Sequence, residues 1–150
     1  MNLSGVSSVL SSDGLPTILL MKEGKVLETL RLVQAEQQHR SFILSTWVLS
    51  YKNHAREQGY GPFYATEEPK VAESRWQDCW VLTDDDGFTV YGWVCGNDGK
   101  LWHCYVAPSI RKLRVATRMI EFACGELKEY ARPWPYSAHA RVNPYLMRTK

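Results

Sequence analysis

The sequence predicts an α+β fold, a central, mostly antiparallel sheet with helices on both faces. Three observations carry it. Three short apolar runs, Asp78–Thr83, Phe88–Val94 and Leu101–Val106, are separated by the turn signals Asp84-Asp-Asp-Gly87 and Gly96-Asn-Asp-Gly99, the pattern of an antiparallel meander. Ile43, Leu44, Trp47, Val48 and Tyr51 recur at helical spacing ahead of it. Ala116, Met119, Ile120, Ala123 and Leu127 form one helical apolar stripe after it.

The remaining elements follow from local chemistry. Met1–Gly14 is rich in Ser and Gly and has no basic segment leading an apolar core, so it reads as a flexible lead-in to a single domain spanning 15–150. Thr17–Met21 and Val26–Val33 flank Lys22-Glu-Gly-Lys25, which has turn chemistry, so a hairpin is expected. The first helix begins after Ala35 and stops before Gly59 and Gly61-Pro62. Tyr60–Lys70 reads as a link and Val71–Gln77 as a short helix. Arg132-Pro-Trp-Pro135 breaks the last amphipathic helix, Tyr136–Val142 is a further strand, and Asn143-Pro144 caps a final helix.

Composition sets outer limits. A chain of 150 residues can bury a real core, and 45% hydrophobic with 23% charged residues is ordinary for a globular protein. A formal net charge of +2 argues against a broadly basic nucleic-acid binder. No run of apolar residues is long enough for a transmembrane helix, so a cytoplasmic location is expected. Cys79, Cys95, Cys104 and Cys124 form no Cys-x-x-Cys pair and have no His at zinc-finger spacing, which leaves no metal site and points to buried, reduced thiols. Asp84–Asp86 reads as a turn in preference to a metal cluster. His39, Arg40, Lys52, His54 and Arg56 read as a solvated helix face. Trp47, Trp80, Trp93 and Trp102 occupy core positions, whereas Trp76 and Trp134 fall in less regular segments and are candidates for an exposed contact surface.

Tyr105–Ile120 holds most of the functional information. Arg111, Lys112, Arg114 and Arg118 gather at a helix start with no acid between Asp98 and Glu121. A helix N-terminus already carries partial positive charge, so these cations face either solvent or an anion that the free backbone N–H groups also bind.

In this order of elements the chain resembles the GNAT family of N-acetyltransferases. That family's signature is a strand followed by Arg/Gln-x-x-Gly-x-Gly/Ala at a helix start, with an apolar pair beyond. Here Tyr105-Val106 precedes Arg111-Lys-Leu-Arg-Val-Ala116, and Met119-Ile120 follows. Tyr91-Gly92-Trp93-Val94 is similar to the Gly-containing strand of the family, and Arg141-Val-Asn143 to the strand and Asn that open its last helix. Phe42-Ile43, Ser45-Thr-Trp47 and Ser50-Tyr51 resemble the first helix of phage and proteobacterial members.

The resemblance implies acetyl-CoA as co-substrate and direct attack of an amine, of unknown identity, on the thioester. It implies that Val106, Arg111, Lys112, Leu113, Arg114, Val115, Ala116 and Thr117 line the cofactor site, with backbone N–H groups cradling the pyrophosphate. His103, on the strand that faces the acceptor amine in the family, is the candidate general base, and His139 a weaker one. Two departures stand out. Arg114 replaces the central Gly, where it either clamps phosphate or seals the pocket. The catalytic Tyr position of the family falls on Lys150, Tyr145 lies too early in the helix to match it, and the last strands of the family fold are missing. A protein partner or second copy could complete the sheet. Two other functions stay open: a non-catalytic module for protein binding or phage assembly, in the host cytoplasm or the virion, and nucleic-acid association through the basic helix start.

Overall fold

The β2–β3 hairpin shows how local chemistry sets the sheet. In the computed structural model, which describes residues 5–10, 16–54, 61–111, 113–126 and 128–130, strands β2 (Pro16–Lys22) and β3 (Lys25–Gln34) are joined by Glu23-Gly24. Both turn residues have positive φ, 51° and 77°. That is the requirement of the tight hairpin turn whose twist matches the flanking strands, and Gly24 meets it without steric cost. Ahead of this hairpin the structure corrects the reading of a flexible lead-in. Gly5–Leu10 form strand β1, paired antiparallel with β2 from Gly5↔Met21 to Leu10↔Pro16. The serines of this stretch hid its strand character, but an open edge on β2 rewards any neighbouring segment able to extend.

The meander lies where it was expected, as β4 (Trp80–Asp84), β5 (Val90–Asn97) and β6 (Lys100–Val106). In the Asp-rich turn, Gly87 N–H donates to the Asp84 carbonyl and Thr89 N–H to Asp84 Oδ1. Strand order follows the sequence from β1 to β7 (Glu129–Tyr130), antiparallel throughout except that β6 and β7 run parallel. A bulge on β6 lets Cys95 oppose His103 while Gly96 opposes Leu101, leaving Trp102 as the extra residue.

Alternation along these strands divides the core between two faces. Val81, Trp93 and Tyr105 form one cross-strand row and pack with Ile43, Trp47 and Tyr51 of helix α1 (Arg40–His54) and Ala72 of α2 (Glu68–Arg75). Leu82, Val94, Cys104 and Val106 point the other way, against Val115, Met119, Ile120 and Cys124 of α3 (Val115–Cys124). Helices therefore cover both faces. Each fully buried aliphatic side chain in these rows contributes about 1.5–3 kcal/mol. Pro69 stands in the first turn of α2, where its missing N–H costs no helix bond, and this starts α2 earlier than the apolar pattern alone indicated. Gly125, at φ 69°, ends α3 and donates to the Glu121 carbonyl. The apolar stripe's last member, Leu127, lies beyond that stop and outside the described residues.

Three surface readings change. Trp76 is buried against the α1–α2 core in a 3-10 turn that extends α2, so it offers no exposed contact surface. His39 is buried too, its Nδ1 accepting from Glu36 N–H at 3.0 Å, because the turn before α1 folds the ring back onto the chain. Arg40 is half-buried and paired with Glu73 across the α1–α2 junction. His54's side chain, Arg56, Trp134, His139, Tyr145, Lys150 and the expected Tyr136–Val142 strand and Asn143 helix start lie outside the described residues. All four cysteines are buried with free thiols.

Candidate functional site

The corner where β6 ends and α3 begins collects most of the expected cofactor residues. After Val106 the chain turns through Ala107, whose N–H donates to the Tyr91 carbonyl at 2.7 Å, and then a 3-10 turn, Pro108–Ile110. Buried Ile110 anchors that turn on the α3 face. Arg111 follows, and its side chain turns back. Nε donates to the Val106 carbonyl at 2.6 Å, and the guanidinium stands 5.5 Å above the Tyr105 ring.

Lys112 lies outside the described residues. Leu113 packs half-buried against the α3-side core, and Val115 is buried in it, so these two fix the loop to the sheet. Between them Arg114 takes φ 67°, ψ 21°, the left-handed conformation, as the residue immediately before α3. For a non-glycine this conformation costs roughly 1–2 kcal/mol. Arg114 thus combines a backbone that glycine adopts most readily with a long cationic side chain.

The first turn of α3 has neither a side-chain cap nor an acidic residue, and Val115, Ala116 and Thr117 supply its opening N–H groups. The first helical bond runs from Arg118 N–H to the Arg114 carbonyl at 3.1 Å. Ala116 and Thr117 are half-buried.

The three described cations of the cluster, Arg111, Arg114 and Arg118, differ in their partners. Arg111 is engaged with Val106. Arg118 pairs with Glu121 at 3.1 Å, while its buried Nε has no hydrogen-bond partner. Arg114 is exposed and has no ion-pair partner among the described residues. Beside this corner β7 pairs with β6 only through Lys100↔Glu129 and Leu101↔Tyr130. Among the described residues no strand pairs with Cys104–Val106 on the β7 side.

His103 is elsewhere. It lies on the α1 face, with 0% of its surface exposed, and stacks on Trp47 (centroids 4.8 Å apart) and Trp93 (5.3 Å). The two indoles are themselves stacked at 5.0 Å. Trp47 Nε1 donates to the buried Glu68 carboxylate at 3.0 Å, and Trp93 Nε1 to Thr46 Oγ1 at 2.7 Å. Thr46 in turn donates to the Phe42 carbonyl at 2.6 Å. A general base must reach the proton it removes. Stacked against both indoles, His103 is buried within the α1-side layer. Glu68 falls in the stretch that the sequence reads as a link, and no local signal marks its burial.

The pKa values of Cys79, Cys104 and Cys124 are raised. Cys124 is pushed from 9.0 to about 12, chiefly by desolvation, and Cys104 is raised by the same cause. Cys79 is raised first by its hydrogen bond to Cys95 and then by burial. A thiolate nucleophile is not available at these positions near neutral pH. The described residues contain no cluster of three or more metal-ligating side chains.

An open cavity of about 320 Å³ lies at the other end of the sheet, where β4 begins and β5 ends. Arg75, Trp80, Cys95 and Trp102 line it, and the Arg75 guanidinium lies 4.2 Å from the Trp102 ring. It contains none of the residues of the β6–α3 corner. Among the described residues no helix is long and apolar enough to cross a membrane. No family model, curated protein or solved structure matches this chain.

Proposed function

We propose that the chain is an acyl-coenzyme A-dependent N-acyltransferase of GNAT type, with the β6–α3 corner as its cofactor site. One observation carries the reading: Arg114, which stands where the signature has its central glycine, holds a left-handed backbone of the kind glycine adopts most readily, directly before an uncapped helix start. In that conformation successive N–H groups of the loop and first turn converge on a point where an anion binds. The strand arrangement supports it. β6, α3 and β7 form a parallel crossover, and among the described residues no strand pairs with Val106 on the β7 side, where a pantetheine arm would join by backbone hydrogen bonds.

In this reading the phosphates of coenzyme A rest on the first turn of α3, and Arg111 and Arg114 supply charge-assisted contacts. The arm runs back along β6 and presents the thioester to an incoming amine. Bond making between amine nitrogen and acyl carbon, with the thiolate of the cofactor leaving, then depends chiefly on positioning. His103 takes no part.

The test is thermal unfolding with and without acetyl-CoA. A specific ligand present at about a hundred times its Kd stabilises the fold by about 2.7 kcal/mol, and the midpoint must rise. An unchanged midpoint at millimolar acetyl-CoA overturns the reading. The enclosure of His103 favours a second one, a module that binds the same cofactor without turnover. It predicts the same thermal shift with no release of free thiol in the presence of amines.

A further inference from the structure

The cofactor reading leaves one contact unaccounted for. Arg111, the first residue of the signature, donates its Nε–H at 2.6 Å to the carbonyl of Val106. Among the described residues no strand pairs with this part of β6, the last described β7 pair being Leu101↔Tyr130. The Val106 carbonyl is therefore an acceptor that an extended ligand arm would use. Arg111 holds it instead, with its guanidinium over Tyr105, the preceding residue.

We propose that Arg111 is a specificity latch: it closes the β6 edge until an anion draws its guanidinium away. The inference rests on the acyl-coenzyme A reading and adds to it an order of events and a selectivity. A ligand that carries both an amide-bearing arm and a phosphate group satisfies both sides of the exchange. Its phosphate takes the guanidinium, forming charge-assisted bonds stronger than one bond to a neutral carbonyl. Its arm takes the vacated Val106 oxygen. A ligand with the arm alone must break the Arg111 bond and leave the guanidinium without replacement, and a ligand with phosphate alone gains nothing along the strand.

The backbone supports movement of this side chain. Arg111 itself is exposed, so its guanidinium can swing without disturbing the core. Its neighbours hold the loop still. Ile110 is buried on one side, and Leu113 and Val115 are packed into the α3-side core on the other. The backbone is thus anchored on either side of an arginine whose side chain is exposed.

Calorimetric titration of coenzyme A and of pantetheine into the full chain and into Arg111→Ala tests the latch. If Arg111 only binds phosphate, the substitution weakens coenzyme A and leaves pantetheine unchanged. If it is a latch, the substitution weakens coenzyme A and tightens pantetheine by about tenfold, the worth of one freed charge-assisted bond. Unchanged or weaker pantetheine binding in the variant, with coenzyme A binding intact in the parent, overturns the latch and leaves the cofactor reading standing. Failure of the parent to bind coenzyme A overturns both. A separate readout needs no ligand: the Arg111 Nε–H should exchange slowly in the free protein by nitrogen-15 NMR, and rapid exchange there also overturns the latch.

Discussion

The imidazole of His103 lies 8° from parallel to the indole of Trp47, with ring centroids 4.8 Å apart. The stack fills the space between β6 and α1, so removing the ring opens a hole in a closed layer. His103→Ala should destabilise the fold by about 2–4 kcal/mol, the range for large-to-small changes in cores that cannot collapse. Urea unfolding measures it as a lowered midpoint at unchanged slope. A loss below about 0.5 kcal/mol would show that the layer is open to solvent.

The two indole N–H groups behind that stack offer a finer comparison. Glu68→Gln keeps an oxygen acceptor for Trp47 Nε1, whereas Glu68→Leu removes it. Likewise Thr46→Val keeps the shape but strips the acceptor from Trp93 Nε1. Leaving a buried donor unsatisfied costs about 1–3 kcal/mol. Glu68→Leu and Thr46→Val should each lose that much by chemical denaturation, with Glu68→Gln the mildest of the three.

Arg114 makes the opposite prediction, a gain on substitution. Its φ of 67° suits glycine, so Arg114→Gly relieves strain, while Arg114→Ala keeps it. The net gain for Gly is about 0.5–1 kcal/mol, because glycine also has the more flexible unfolded chain. The same pair of variants reports on the anion. If the guanidinium clamps phosphate, both weaken coenzyme A binding; if it obstructs the pocket, both strengthen it.

Gly92 has no room for a side chain. A methyl group there would collide with the carbonyl oxygen of Tyr105 on the neighbouring strand. Gly92→Ala should therefore cost more than about 2 kcal/mol, since the obstacle is backbone held in a ladder. A drop in melting temperature of less than a few degrees would show that β5 and β6 separate more easily than their pairing indicates.

The buried thiols set an alkaline limit. Cys124 ionises near its ordinary value of 9.0 in the unfolded chain but only at about 12 in the fold, owing to burial. Above the first value the unfolded state releases a proton that the folded state keeps. Stability from this group is therefore complete below about pH 9 and declines as pH rises toward 12. Urea midpoints of the reduced protein at about pH 8 and about pH 10.5 should differ, and Cys124→Ala should narrow the difference.

Where each residue's own chemistry decided its structure, the sequence was a sufficient guide. Glu23-Gly24 demanded a tight turn, Asp84–Gly87 and Asn97–Gly99 divided the meander, and the spacing of Ile43, Trp47 and Tyr51 marked a helix with one buried face. Where a partner distant in the chain decided it, the sequence was silent. Gly5–Leu10 became a strand because β2 offered an edge. Trp76 and His39 were drawn inward by layers that no local pattern describes. At the site, the helix from Val115 to Cys124 was legible from its apolar stripe, yet the turn of Arg111 back toward Val106 was not, because a side chain five residues on has many directions open to it. The burial of His103 was hidden for a similar reason. Alternation along β6 says that His103 and Tyr105 share a face, but only the packing of α1 shows that the face is buried.

The two apolar layers lie on opposite sides of β4, β5 and β6, and the strands between them are the common wall. A methyl group lost under α3 and another lost under α1 have no shared neighbours, so their effects should sum. The wall itself opens only after both coverings have left. Amide protons of Val81, Trp93 and Val94 should then be the last to exchange with deuterium, at rates reporting global unfolding, whereas those in the first turn of α3 exchange through local fluctuations. Binding at that turn would slow exchange at one end of the molecule and leave the wall's clock unaltered until occupancy stabilises the whole.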